Sequence, residues 1–310
     1  MGTPDILRSA PDVARRILSW YRRNGRPLPW RQTRRPYRIL LSEVMLQQTQ
    51  VARVEQRYRE FLRHFPALSA LARAPKRDVV LAWRGLGYNN RAVRLHALAH
   101  HLHSRNSGRF PHSISALMQL PGVGRYTAHA IAAFAFGQQV PVVDVNVRRV
   151  LSRICFPMKT TAAVADESTV WRVAADILPT GKAYDWNQAL MDLGATVCAG
   201  VRPRCGACPV ATTCVSRAVM IPARIRLSMQ HERSHRGTPL RLYRGRVIEA
   251  LRNAHPRRSV SASRLGRSIL PHFTEGDRQV FHRLLRGLER DGLVDVRRNR
   301  QSVPERVSLA

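Results

Sequence analysis

The sequence predicts a mainly α-helical protein that ends in a second, smaller unit. Three observations carry that expectation. Segments with apolar residues at helical spacing follow one another from about residue 12 to Cys198. A glycine-rich turn, Leu120-Pro121-Gly122-Val123-Gly124, feeds an apolar helix from Tyr126 to Phe136. Strand-like runs are expected only near the C-terminal end, at Val294–Val296 and Val307–Leu309.

The chain has 310 residues, enough for a sizeable core and two domains. Its 52 Lys and Arg against 20 Asp and Glu give a net charge of +32 and a pI near 11.7. Almost all of the cations are Arg. Such a balance is silent on fold but favours a polyanion as partner. No run of about eighteen apolar residues occurs, so no membrane span is expected. The opening MGTPDILRSAPDVARRI lacks the apolar core of a signal peptide, and a cytoplasmic location is expected.

Residues 12–26 show helical spacing at Val13, Ile17 and Trp20–Tyr21 and stop at Asn24-Gly25. Leu28-Pro29-Trp30-Arg31 makes an extended entry to a helix pair over residues 36–65, which carries SEVMLQQTQV (Ser42–Val51). Glu43 stands there among Ile39, Leu40, Val44 and Met45; a lone Glu in that setting more often snorkels to solvent. Ser69–Ala74 and Arg77–Arg84 are short helical segments, the second ending in Gly85-Leu86-Gly87-Tyr88. Arg91–Ser104 is amphipathic, and its His96, His100, His101 and His103 read as a solvated face, without a paired acid or Cys. In the Leu120–Gly124 turn, Gly122 and Gly124 permit positive φ and close approach of another backbone. The following helix N-terminus would offer unpaired N–H groups to a phosphate. Some twenty residues on, Asp144 sits alone in the apolar run VPVVDVNVRRV, a costly place for a carboxylate without a partner or a task.

Ala162–Leu178 and Asn187–Cys198 complete the helical part. Behind them Cys198, Cys205, Cys208 and Cys214 are spaced C-x6-C-x2-C-x5-C. This chain is not the small secreted domain that two disulfides would suit, so a metal is expected; spacing alone leaves zinc and iron–sulfur both open. Cys155 reads as a buried core thiol. Residues 219–238 turn Arg-, Ser- and Pro-rich and read as a linker between a domain at 1–218 and one at 239–310. In the latter, three helices (Leu242–Leu251, SASRLGRSIL and DRQVFHRLLRGLERDGLV) precede two strands flanking the Arg-rich RRNRQSVPER. That pattern resembles a winged helix, a helix-turn-helix variant.

LPGVG-x-x-T-A followed by V-D-x-N-V-x-R-V resembles the helix-hairpin-helix DNA glycosylases, the superfamily of endonuclease III and MutY. LPWR, SEVMLQQTQV, GLGY, NQALMDLGA (Asn187–Ala195) and the cysteine loop fall in family order over residues 12 to 217. The strings are most similar to the MutY-like adenine DNA glycosylase branch. The resemblance implies a 4Fe–4S cluster on Cys198, Cys205, Cys208 and Cys214, with Arg202 and Arg204 contacting phosphates. It implies Glu43 as the acid that protonates the base, Asp144 as the carboxylate beside the sugar cation, Asn146 as its orienting partner and Tyr126 as an aid to proton transfer. Breaking an N-glycosidic bond through an oxocarbenium-like transition state calls for two such carboxyl groups. Gln48 and Tyr88 match residues that wedge into the duplex, Thr49 and the Leu86 backbone match contacts to the opposite base, and Trp30, Arg31 and Gln188 match the base pocket. The phosphate seat falls on Gly122 and Gly124. Tyr126 stands where bifunctional members carry a Schiff-base Lys, so a monofunctional enzyme is implied.

The chain departs from the MutY pattern in places. It reads Asp144-Val145-Asn146 for D-G-N, His129 for a small residue, and Asn89 where a second aromatic is common. The C-terminal part shows neither the length nor the Phe-Ser-His signature of a NUDIX-like domain, so the resemblance does not imply dependence on 8-oxoguanine. The expectation is a monomeric base-excision enzyme that removes adenine opposite G or 8-oxoguanine from double-stranded DNA carrying a mismatch or lesion, with no membrane partner. The alternatives are a thymine or uracil glycosylase acting opposite G, and a non-catalytic iron–sulfur DNA-binding protein.

Overall fold

A computed structural model describes residues 6–158, 163–220, 234–254, 259–270 and 273–310. Contacts divide these into two compact units. The first runs through Leu40, takes in Pro111–Gln119 and continues from Val123 to Met220. The second takes Leu41–Phe110, Leu120–Gly122 and the C-terminal part.

In the first unit α1 (Ile6–Asn24) leads through a 3-10 turn at Pro29–Gln32 into the start of α2 (Pro36–Leu46). Four helices of the second unit come next in the chain: α3 (Val51–His64), α4 (Leu68–Arg73), α5 (Lys76–Ala82) and α6 (Asn90–Arg105). The chain then forms α7 (Ile114–Met118), α8 (Arg125–Phe134), α9 (Val145–Cys155), α10 (Glu167–Asp176) and α11 (Ala183–Thr196). Ile17, Val150, Leu151, Trp171, Trp186, Leu190 and Leu193 are buried together as the core of the first unit. The cysteine loop follows and closes on α12 (Arg217–Met220). Its Val210 is fully buried in the same core, which is how an irregular loop is held in place. The sequence expects α10 to start at Ala162; residues 159–162 lie outside the described residues.

In the second unit Phe61, Leu71, Trp83, Leu95 and Leu102 are buried, and Phe61 meets Trp83 edge-on at 5.8 Å between ring centroids. The C-terminal elements are a hairpin of β1 (Ser234–His235) and β2 (Thr238–Pro239), then α13 (Leu240–Asn253), β3 (Val260–Ser261), α14 (Ala262–Ile269), α15 (Glu275–Arg290), β4 (Val294–Arg298) and β5 (Pro304–Leu309). The last three strands form an antiparallel sheet of order β3-β5-β4, so a short third strand joins the two that the sequence predicts.

Two boundaries differ from the sequence reading. Residues 234–238, expected as linker, belong to structure: His235 Nε2 and Arg236 Nη2 contact the buried Asp277 carboxylate at 2.6 and 2.8 Å. The rest of that linker, 221–233, lies outside the described residues. The C-terminal elements are also no separate body. Val80, Leu81 and Val93 of α5 and α6 pack into the same core as Tyr243, Ile248, Phe281, Leu285 and Val307. Nothing in a helical period distinguishes an apolar residue that faces its own bundle from one that receives another module.

Candidate active site and cysteine loop

Asp144 is placed by what precedes it. The Asn187 side chain behaves like a strand partner, donating from Nδ2 to the Val140 carbonyl and accepting the Val142 N–H, both at 2.9 Å. His129 Nδ1 donates to the Pro141 carbonyl at 2.8 Å, and its ring lies edge-on to Trp171. The unusual histidine therefore braces the strand-like segment leading to Asp144. Asp144 then caps α9: Oδ1 accepts the Val147 N–H at 2.7 Å and Oδ2 accepts from Asn146 Nδ2 at 2.8 Å. Burial nonetheless raises the Asp144 pKa above the ordinary carboxylate value, against the lowering effects of the Val147 N–H, the Asn146 amide and the Arg149 charge. Those contacts moderate the shift without reversing it. Val145, the departure from glycine, costs no packing because its side chain is 76% exposed.

Arg149 extends this network. It donates to Asn146 Oδ1 at 2.9 Å, to the Gly194 carbonyl at 2.7 Å and to the Cys198 carbonyl at 2.9 Å. Gly194 allows the approach, since a Cβ there would lie 2.7 Å from Asn146 Cβ. The fully buried Arg153 binds the Ala199 and Gly200 carbonyls at 2.8 and 2.9 Å and lies 3.4 Å from Cys198 Sγ. Neither arginine is among the residues singled out from sequence, where both read as ordinary cations of an Arg-rich chain.

Cys198, Cys205, Cys208 and Cys214 line one cavity together with Arg153 and Leu193. Burial pushes the Cys208 thiol up to about 11 and raises Cys205 and Cys214 as well. Among the described residues no group of three or more His, Cys, Asp or Glu side chains stands ready for a metal ion. Desolvated thiols such as those of Cys205, Cys208 and Cys214 ionise more readily beside a cation, which is the chemistry of a thiolate-held cluster. Cys155 is buried and pushed up to about 12, as a core thiol should be. Arg202 is exposed, while Arg204 is exposed but bonds the Thr196 carbonyl through Nε and Nη2.

Of the residues matched to a base pocket, Trp30 is buried in the 3-10 turn and Gln188 is buried on α11. Arg31 makes a bidentate pair with the fully buried Asp192, at 2.8 Å through each terminal nitrogen. Asp192 also accepts from the Arg26 backbone and side chain, so this acid secures the LPWR entry. Tyr126 is half-buried near Phe134 and Val142.

In the second unit Glu43 is buried on α2, so the snorkelling alternative does not hold. Beyond the end of α2, Gln48 has φ 57°, and Tyr88 has φ 43°. Both side chains are exposed, and a strained backbone under an exposed side chain is a mark of a working loop. Thr49 Oγ1 donates to the Leu86 carbonyl at 3.2 Å, which ties the two loops together. Arg91, 5% exposed, is their hub. It donates to the Val44, Met45, Gln47, Leu86, Gly87 and Tyr88 carbonyls and to Thr49 Oγ1, over 2.5–3.4 Å. Sequence reasoning passes over Arg91, because only the folded loops reveal its acceptors.

The glycine-rich turn differs from expectation at one position. Gly122 is left-handed at φ 75°, whereas Gly124 is extended at φ −91° and ψ 178°. Gly124 is the N-cap of α8, with no side-chain cap and open space where a Cβ would stand. Its role is clearance in front of uncapped N–H groups, the arrangement that suits a phosphate.

The HhH-GPD superfamily of base excision DNA repair proteins matches residues 41–173. The adenine DNA glycosylase of Mycobacterium tuberculosis is 42% identical over 243 residues, covering 77% of this chain and 78% of that one. The human adenine DNA glycosylase is 43% identical over 210 residues, covering 65% of this chain; the match spans 38% of the human protein's length. Among solved structures, a thermostable thymine-DNA glycosylase superposes with a TM-score of 0.63 at 30% identity, over 68% of this chain and 97% of that one. A trapped endonuclease III–DNA covalent intermediate superposes at 0.60 with 23% identity, over 70% and 98%, a likeness of fold alone.

Proposed function

We propose that this chain, which belongs to the adenine DNA glycosylase family of the HhH-GPD superfamily, is a DNA N-glycosylase of base excision repair. Its reaction is hydrolysis of the bond between adenine and deoxyribose, where adenine lies opposite G or 8-oxoguanine. The observation that carries the reading is the seat of Asp144. A carboxylate capping a helix, held by Val147 and Asn146 yet partly desolvated, is oriented and little compensated, and so is suited to a developing sugar cation.

The mechanism follows from those groups. The target base leaves the stack. Glu43 gives a proton to the leaving base, whose bond electrons stay with it; Asp144 faces the cationic C1′; a water oxygen then bonds C1′ and its proton returns to a carboxylate. Asn146 and Arg149 keep Asp144 oriented through the chain of hydrogen bonds that ends at the Cys198 carbonyl. Gln48 and Tyr88 enter the duplex, with Thr49 and Leu86 beside the opposite base. Trp30 and Gln188 wall the base pocket, and Arg31 acts by fixing that wall through Asp192.

Duplexes carrying A:8-oxoguanine, A:G, T:G and U:G test the substrate. Release of adenine from the first two is expected. The 30% likeness to a thymine-DNA glycosylase makes thymine release from T:G the competing result, and finding it without adenine release would overturn the proposal.

Cys198, Cys205, Cys208 and Cys214 fit a 4Fe–4S cluster by the cavity they share, and burial raises the Cys205, Cys208 and Cys214 thiols, which a positive charge would offset. When bound it supplies that positive charge and stiffens the loop onto which Arg149 and Arg153 hold. Anaerobically purified protein should contain about four irons per chain. Stoichiometric zinc without iron would contradict this.

Tyr126 cannot form a Schiff base, so abasic DNA should be cut only after added alkali or amine. Tyr126→Lys should gain some borohydride-trappable crosslink to DNA. Efficient nicking by the unaltered protein would end the monofunctional reading. The C-terminal elements, ordered helix–strand–helix–helix–strand–strand, we read as a winged-helix-like module.

A further inference from the structure

Helix α15 buries Phe281, Leu284, Leu285 and Leu288 against the C-terminal core. Its outer side carries Gln279, Arg283, Arg286 and Arg290, at i, i+4, i+7 and i+11, and all four are exposed. They form one stripe about 16 Å long. The acids nearby are committed elsewhere: Glu289 to Arg298, Asp291 to Arg244 and Glu275 to Arg278. The Glu289–Arg298 pair also fastens the end of β4 to this helix, and Arg297 of β4 and Arg300 of the following turn are exposed beside Arg298 in the chain. The turn itself is shaped by Asn299 Oδ1, which accepts the Gln301 and Val303 N–H groups.

We propose that α15, the end of β4 and the β4–β5 turn form a second duplex-binding surface, with Arg283, Arg286, Arg290, Arg297 and Arg300 on the phosphates of double-stranded DNA. A helix of this width fits the major groove, and a one-sided arginine stripe matches a line of phosphates. Arg298 is committed to Glu289, so it is left out of this set. This surface rests on the glycosylase reading for its choice of duplex over other polyanions.

The test uses full-length protein, because removing the C-terminal elements would uncover Val80, Leu81 and Val93. Binding of the triple variant Arg283→Ala, Arg286→Ala, Arg290→Ala to an undamaged duplex is measured across salt concentrations, with melting temperature as the control for folding. The slope of log affinity against log salt should flatten by about 2.7, at roughly 0.9 per lost phosphate contact. The corresponding triple Lys variant should restore it. Single-turnover base release at saturating protein should stay the same, so loss of the glycosylase reading would show separately, as no release by the unaltered protein. An unchanged slope overturns the proposal. So does a loss confined to RNA or to an acidic protein partner, with duplex binding intact.

A second proposal has its own support. Arg252, at the end of α13 and 5% exposed, donates to the Val80 carbonyl at 2.7 Å and to Asn89 Oδ1 at 2.9 Å. Asn89 follows the strained Tyr88 directly and departs from the aromatic common at that position. We infer that Arg252 is a positioning residue for the Tyr88 loop, which couples the C-terminal elements to discrimination of the opposite base. The ratio of adenine release opposite 8-oxoguanine and opposite G should change several-fold in Arg252→Gln and in Asn89→Ala, and no further in the double variant. A melting shift with an unchanged ratio, or additive changes, overturns the link. Tyr88→Ala is the control: if it leaves the ratio alone, the reading of that loop fails, and this proposal with it.

Discussion

Asp144→Asn is expected to lower the single-turnover rate of base release by about 10³-fold or more, roughly 4 kcal/mol of lost transition-state stabilisation. Duplex binding should survive, because asparagine caps a helix about as well as aspartate and can still accept the Val147 N–H. Parallel loss of binding and catalysis would make Asp144 a structural residue. The same variant has a pH signature. The folded-state pKa of Asp144 is raised, so its contribution to stability is fully present below the unfolded value near 3.8 and is lost as pH rises through the folded value. Relative to the unaltered protein, Asp144→Asn should therefore gain melting temperature as pH rises from about 4 to 7. A relative loss over that range would mean that hydrogen bonding, not burial, dominates the site.

Arg91→Ala should be the most damaging single change in the second unit. It removes the donors of six backbone carbonyls, at the end of α2 and in the two loops beyond it, and leaves a cavity beside Trp83. Orphaned buried acceptors and lost packing together cost about 3 kcal/mol or more, a fall in Tm of roughly 10 °C. Burial already lowers the Arg91 pKa to about 10, with no carboxylate in its hydrogen-bond set, so its task is to satisfy carbonyls. Arg91→Lys should restore only part of the loss, since an ammonium cannot spread over acceptors that a guanidinium fork reaches. A Tm within about 2 °C of the unaltered protein in Arg91→Ala would show the loops to be self-supporting.

These two residues mark a division within the site. Asp144 stands out in sequence because a carboxylate in an apolar run demands an explanation, and the glycosylase strings around it supply one. Arg91, Arg149 and Arg153 attract no notice in a chain with 52 cations, since a guanidinium acquires a role only from carbonyls that folding gathers around it. Gly194 is similar. Its need for glycine comes from Asn146, distant in sequence, whose Cβ lies 2.7 Å from where a Cβ on residue 194 would stand.

The helical class, the order of the motifs, the two carboxyl groups and the four thiols are all legible in the amino-acid chain alone. Those features are local: an apolar period, a turn rich in glycine, a fixed cysteine spacing. Folding was needed to show that Arg31 is spent on Asp192, that Gly124 is extended, and that Arg252 reaches Asn89. It was needed equally to show that the C-terminal elements share a core with α5 and α6. Each of these is a pairing between residues far apart in the chain or a backbone angle set by its surroundings, and neither is written in the spacing of one segment.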